Sequence, residues 1–305
     1  MAVLGSLGAC GSQTGTAPDL DAGLLSVSVG VLHTCGLTAA NQAFCWGWGE
    51  HGQLGTGATA DSDVPLGVAG GHAFTSISTG GAHTCGITTA GALFCWGFNS
   101  SGQIGNGSTV DVPEPTAVGA ALGLSSISAG GTTTCGLNGA GEAYCWGFNG
   151  SGQLGDGTTD NRSEPVLVGG GLAFATINAG NFHTCALTAA GEAYCWGDND
   201  SGQLGDSSRV SSPTPVPVAG GLAFATISAG LGHTCGVTLT GEAYCWGSGV
   251  FGQLGDGLAN STTGPAQIMN GTGYVEVSAG GSYSCGVRGS GEAWCWGLNA
   301  LGQLG

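Results

Sequence analysis

The sequence predicts an all-β protein, a β-propeller of four-stranded antiparallel blades in which six copies of one repeat are present. Three observations carry this expectation. The tripeptide Cys-Trp-Gly recurs, beginning at Cys45, Cys95, Cys145, Cys195, Cys245 and Cys295, at a constant interval of 50 residues. Around each marker lie short apolar or alternating runs closed by Gly or Pro, which read as about four strands per copy. No segment shows a sustained helical period of apolar residues with capping signals at both ends. Four strands in ~50 residues argue against a β-solenoid, whose rungs are shorter, and fit a propeller blade.

The fourth copy shows each element in order. The first strand is the small run Ala175-Thr-Ile-Asn-Ala-Gly180; its closing Gly suits a position where blades crowd a central axis and chains approach closely. The second is His183-Thr-Cys-Ala-Leu-Thr188, and the third is Gly191-Glu-Ala-Tyr-Cys-Trp-Gly197. A turn joins these two, as Asn138-Gly-Ala-Gly141 does in the third copy. The loop Gly202-Gln-Leu-Gly205 follows, and then a Pro-led outer strand, Pro215-Val-Pro-Val218, with counterparts at Pro65, Pro115, Pro165 and Pro265.

Composition narrows the function classes. Of 305 residues 65 are Gly, with no Gly-X-Y period, which excludes collagen and points to many tight turns. A hydrophobic content of 41% argues against disorder. There is no Lys; the cations are Arg162, Arg209 and Arg288 against 19 carboxylates, a net charge of −16. Nucleic acid is therefore not an expected partner, because phosphate binding depends on Lys and Arg. An anionic membrane surface is disfavoured for the same reason, and the charge serves solubility.

The run Gly-x-x-His-Thr-Cys-x-Leu-x-x-x-Gly-x-x-x-Cys-Trp-Gly-x-Asn-x-x-Gly-Gln-Leu-Gly resembles the regulator of chromosome condensation repeat. The resemblance spans residues 24–305, and its Trp-Gly-x-Asn-x-x-Gly-Gln-Leu-Gly segment is the specific part. It implies a seven-bladed propeller, whereas six copies are present and the sixth has no Pro-led outer strand before Gly305. Two arrangements answer this: a seven-bladed propeller truncated at its C-terminus, or a six-copy ring whose last blade borrows an outer strand from the segment Pro18-Asp-Leu-Asp-Ala22. The two Asp make that segment a poor strand former.

Twelve of the 13 cysteines fall in pairs ten residues apart: Cys35 and Cys45, Cys85 and Cys95, Cys135 and Cys145, Cys185 and Cys195, Cys235 and Cys245, Cys285 and Cys295. The midpoint of each pair lies in the predicted turn, so an antiparallel hairpin sets the two cysteines opposite each other, within disulfide range. Disulfides are the expectation. The alternatives are buried free thiols and zinc, although zinc sites favour a Cys-x-x-Cys-type spacing that is missing. Disulfides would place the protein in an oxidising compartment.

The odd cysteine, Cys10, follows Leu7-Gly8-Ala9 and precedes a Gly/Ser/Thr-rich stretch. This resembles a bacterial lipoprotein box, so residues 1–23 read as a signal-peptide remnant and linker with Cys10 as the lipidation site, and 24–305 as one propeller domain. The departures are Gly8 before Ala, no preceding Lys or Arg, and only nine residues before Cys10. That lipid would be the only membrane connection, and a monomer is expected.

No catalytic or cofactor-binding constellation emerges: there is no Gly-x-Ser-x-Gly, phosphate loop or nucleophile–base pair. His33, His83, Thr133, His183, His233 and Tyr283 occupy one repeat position, and two of these six are not His, so hydrogen bonding explains them better than a metal. The loops at Asp156, Asn106 and Asp256 lack full calcium-loop spacing and read as turns. The Trp of Cys-Trp-Gly, present in every copy, reads as blade core. Function belongs where copies differ. Two residues after that Trp stand Trp48, Phe98, Phe148, Asp198, Ser248 and Leu298, with Val250, Phe251 and Leu301 close by. The apolar members of this set are the binding-face candidates, with burial against a neighbouring blade as the alternative. The expected function is an extracytoplasmic scaffold, secreted or lipid-anchored at the cell surface, that presents the loops of one propeller face to a protein partner. The resemblance brings in secreted β-lactamase-inhibiting proteins that bind in this way, and it supplies the alternative of guanine-nucleotide exchange on a small GTPase.

Overall fold

The structure, a computed structural model, describes residues 23–119 and 122–305. Cys10 and the segment Pro18 to Ala22 lie outside the described residues. The fold is the expected all-β propeller of six blades. Blade 1 is β1 (Leu24–Val29), β2 (His33–Thr38), β3 (Ala43–Gly47) and β4 (Ser62–Gly67). Blade 2 is β5 (Phe74–Thr79), β6 (His83–Thr88), β7 (Leu93–Gly97) and β8 (Val112–Ala117). Blade 3 is β9 (Leu124–Ala129), β10 (Thr133–Asn138), β11 (Ala143–Gly147) and β12 (Arg162–Leu167). Blade 4 is β13 (Thr176–Ala179), β14 (His183–Leu187), β15 (Ala193–Gly197) and β16 (Ser212–Pro217). Blade 5 is β17 (Phe224–Ala229), β18 (His233–Thr238), β19 (Glu242–Gly247) and β20 (Thr262–Thr272). Blade 6 has three strands, β21 (Tyr274–Ala279), β22 (Tyr283–Arg288) and β23 (Ala293–Gly297). Within each blade sequence neighbours pair antiparallel.

Local chemistry sets the meander. The turn between the second and third strands needs a left-handed residue, supplied by Gly91, Gly141, Gly191, Gly241 and Gly291, and in the first blade by Asn41 at φ 59°. Asn is among the few non-Gly residues that enter this region at low cost. The turn fixes the register, so Cys35 faces Cys45, and the other pairs follow. All six disulfides form, each with Cα atoms 4.1 Å apart. In the chain-entropy picture each closes a loop worth at most about 2.7 kcal/mol.

The core lies between successive blades. Cys35, Cys45 and Leu54 of the first blade pack with Phe74 and Trp96 of the second. One junction further on, Cys85, Cys95 and Ile104 pack with Leu124 and Trp146. Trp96, Trp146, Trp196 and Trp246 are fully buried, whereas Trp46 and Trp296, in the first and last blades, are half-buried. Inner strands meet at the axis through glycines: a Cβ on Gly80 would collide with the Gly130 carbonyl, and Gly81 N–H donates to Gly130 O at 3.0 Å. Among the described residues the sixth and first blades share no such bond, and Leu25, Val27 and Val29 of β1 and Val275 of β21 are exposed. No helix of the described residues is long and apolar enough to cross a membrane.

Candidate interaction face

One end of the propeller is built from the loops between first and second strands (30–32 and equivalents) and the loops between third and fourth strands (48–61 and equivalents); Trp48 N–H donating to Leu32 O at 2.9 Å holds the two together. The Gly-Gln-Leu-Gly turn of the longer loop is a staple to the next blade. Gln53 O accepts from Trp96 Nε1 at 3.0 Å and from Thr84 Oγ1 at 2.9 Å. Gln103, Gln153, Gln203 and Gln253 repeat this with the Trp and hydroxyl of the following blade.

The histidines belong to the same staple. Thr134 gives its hydroxyl proton to Gln103 O, so it accepts from His83 Nε2 at 2.8 Å, and His83 carries its proton on Nε2. His33, His183 and His233 make the same contact to Thr84, Thr234 and Ser284. Their Nδ1 atoms are buried without a partner. Burial holds all four neutral: it pushes the pKa to about 4 in His33 and His233, and to about 3 in His83 and His183, where a neighbouring histidine adds to the effect. Thr133 replaces the contact with a bond to Phe148 O at 2.9 Å.

The longer loops are organised by the Asn of Trp-Gly-x-Asn. Asn149 is fully buried; its Nδ2 donates to Thr158 O and Asp160 O, and its Oδ1 accepts from Leu154 N. Asp156 is held by Thr158 and by Arg162, 2.8 Å away. Burial opposes its charge, but the Thr158 and Arg162 hydrogen bonds outweigh that and keep its pKa below the ordinary value. These loops therefore use their Asp and Asn in turns. Among the described residues no three His, Cys, Asp or Glu side chains converge as metal ligands would.

On this frame the candidate residues divide. Trp48, Phe98 and Phe148 are half-buried, as is Leu298, while Val250, Phe251 and Leu301 project into solvent. In the fourth and fifth blades the residue at the Trp48 position accepts from the glutamine side chain: Asp198 from Gln203 Nε2 at 2.7 Å and Ser248 from Gln253 Nε2 at 3.3 Å. His51 lies between two of the aromatics, its ring centroid 5.1 Å from Trp48 and 4.6 Å from Phe98, with Nδ1 2.7 Å from Asp111 Oδ2. The axis opens on the same end as a cavity of about 510 Å³ lined by Gly30, Gly80, Gly130, Gly180, Gly230 and Gly280. Val31 and Leu231 line it, Leu32 and Phe182 stand in the same short loops, and all four are exposed. These four were not among the expected residues. Their signal was visible: at the same two positions other copies carry Gly81, Ala82, Gly131, Thr132 and Gly232.

These features define a repeat β-propeller whose invariant polar residues serve the fold and whose variable loops on one end carry exposed apolar side chains. The chain belongs to the RCC1-like domain family, whose model matches residues 4–305. No sequence of a curated protein matches it significantly. Among solved structures it is similar to yeast RCC1 (Prp20) bound to Kap60, with a TM-score of 0.81 at 21% identity over 92% of this chain and 71% of that one. Human WBSCR16 aligns with a TM-score of 0.77 at 22% identity, over 85% of this chain and 70% of that one. The CRINKLY WD40 ectodomain of the Arabidopsis thaliana receptor kinase ACR4 aligns with a TM-score of 0.58 at 22% identity, over 90% and 79%. At these identities the likeness is one of fold.

Proposed function

We propose that this protein is an extracytoplasmic binding scaffold that captures a protein partner on the end of the propeller carrying the channel mouth, and that its role is binding rather than catalysis. The observation that carries the reading is the set of exposed apolar residues in the loops of that end, Leu32, Phe182, Leu231 and Phe251, at positions where the copies differ, on a frame fixed by the repeated staples. Apolar anchors within a polar rim are the usual source of interface energy. Glu50, Asp160 and Asp200 are exposed in the same loops and the chain carries −16, so the partner has a cationic rim and binding weakens with salt. The six disulfides support the location, because such bonds persist in oxidising compartments. Attachment through a lipid on Cys10 belongs to the same reading.

The test is retention on immobilised protein. A partner held by the wild type and lost with Leu32→Glu/Phe182→Glu, at unchanged Tm, supports the reading; equal retention by both overturns it. The yeast neighbour Prp20 has been crystallised and its binding to Gsp1p and histones described, which gives the second reading, nucleotide exchange on a small GTPase. That reading requires accelerated nucleotide release from a GTPase by the disulfide-intact protein.

A further inference from the structure

In two blades the side chain of the Gly-Gln-Leu-Gly glutamine finds an acceptor, and in three it does not. Asp198 and Ser248 accept from Gln203 and Gln253, whereas Gln53, Gln103 and Gln153 are fully buried with Nε2 unpartnered. One residue makes the difference: where Asp198 and Ser248 stand, the first three blades carry Trp48, Phe98 and Phe148. An orphaned buried amide destabilises a fold, and Asp or Ser at this position relieves it. Aromatic rings retained at that expense, on loops of the binding end, serve something outside the fold.

The seam between the first and second blades carries more than a ring. His51 stands between Trp48 and Phe98, and its Nδ1–H donates to Asp111 Oδ2, since a carboxylate only accepts. Asp111 Oδ1 in turn accepts from Asn99 N at 2.8 Å, which fixes the carboxylate. At the same two positions the next three seams have small polar pairs: Ser101 and Asn161, Ser151 and Ser211, Ser201 and Ser261. The cluster reaches solvent, with the His51 and Asp111 side chains 30% and 39% exposed and Trp48 and Phe98 half-buried. Its surroundings are acidic. Glu50, next to His51 in the chain, is exposed, and among the described residues neither it nor Asp61 nor Asp111 meets an arginine. Arg162 is held by Asp156 in the third blade and Arg209 by Asp200 O in the fourth.

We propose that the Trp48–His51–Phe98 cluster, with Asp111 and Glu50, is a subsite for an arginine side chain of the protein partner. The rings offer π surface to a planar cation, and the carboxylates accept its N–H groups. A guanidinium answers both demands, whereas an ammonium answers only the charge. The subsite rests on the reading that this end captures a partner, and it places the cationic contact that the chain's own charge calls for.

The test uses the disulfide-intact protein and the peptide Gly-Arg-Gly-Arg-Gly carrying a neutral fluorophore, read by anisotropy. The expected result is saturable binding with Kd below about 1 mM, at least about tenfold weaker when citrulline replaces arginine and about threefold weaker with lysine. Phe98→Leu keeps apolar bulk without the ring and should weaken binding about threefold. Phe98→Asp adds a carboxylate, and it too should weaken binding. Tighter binding by Phe98→Asp would show that net charge alone attracts the peptide, and would overturn the proposal. Equal binding of the arginine and citrulline peptides to the wild type, or no saturable binding, would do the same without any variant having to fold. Partner retention that Leu32→Glu/Phe182→Glu abolishes, with no peptide binding, sinks the subsite and leaves the wider reading standing; retention unchanged in that variant sinks the wider reading, and the subsite with it.

Discussion

The neutral histidine staple makes this fold acid-sensitive in a calculable way. His33, His83, His183 and His233 are buried and neutral with pKa values of about 3 to 4, against 6.5 in the unfolded chain. Between those values the unfolded state binds protons that the native state does not, so stability rises with pH there and is lost as pH falls. Each histidine contributes a slope of about 1.4 kcal/mol per pH unit, and acidifying from pH 7.5 to 5 costs about 2 kcal/mol per site. The four together cost about 8 kcal/mol, comparable with the 5–15 kcal/mol stability of a typical domain. Substituting His183→Thr imports the solution that Thr133 already represents. The assay is urea unfolding followed by tryptophan fluorescence at half-unit steps from pH 7.5 to 4, disulfides intact. Stability of the wild type should fall steeply below pH 6.5, and the variant should lose about one proton from that slope, or about 1.4 kcal/mol per unit. Identical slopes in the two proteins would refute the reasoning.

Other consequences are smaller and as direct. Trp196→Phe removes the Nε1–H bond to Gln153 O but leaves the Thr184 bond to the same oxygen, so it should cost about 1 kcal/mol in urea unfolding, against about 3–5 kcal/mol for Trp196→Ala. Alkylation of native protein with and without reductant should show twelve cysteines protected until the reductant is added. Asn149→Ala leaves Leu154 N–H and the Thr158 and Asp160 carbonyls without their partner, so amide exchange across residues 149–161 should accelerate while the β-strands stay protected.

The repeat made most of the fold legible. A turn residue fixed at each hairpin midpoint sets the strand register, and that register alone brings Cys35 to Cys45 and its counterparts together. The turn role of the Asp/Asn loops and the hydrogen-bonding role of the histidines could also be read, because residue type and spacing carry that chemistry. The staple could not. Its acceptor is the Gln53 main-chain carbonyl, which leaves no side-chain signature, and its donors lie 31 and 43 residues away in another blade. Sequence also treats the six Trp as equivalent, whereas Trp46 borders the junction between first and last blades and Trp296, stapled to Gln253 O of the fifth blade, opens onto the cavity beside Val250 and Phe251. Exposure of Trp48, Phe98 and Phe148 depends on how each loop folds over its own ring, as Phe148 does over Gly150, and alternation patterns do not report this. The channel-mouth residues were legible only by comparing copies at positions 31 and 32, because the gap they fill between strands is too brief for any periodicity to mark.

The claim that one end of the propeller is the binding surface is tested most directly by hydrogen exchange of the complex with the partner recovered on the immobilised protein. Protection should concentrate in the peptides holding Leu32, Phe182, Leu231 and Phe251, with the hairpin turns at 89–92, 139–142 and 189–192 on the opposite end unchanged. Protection of those turns, with the channel mouth left unaffected, would contradict it.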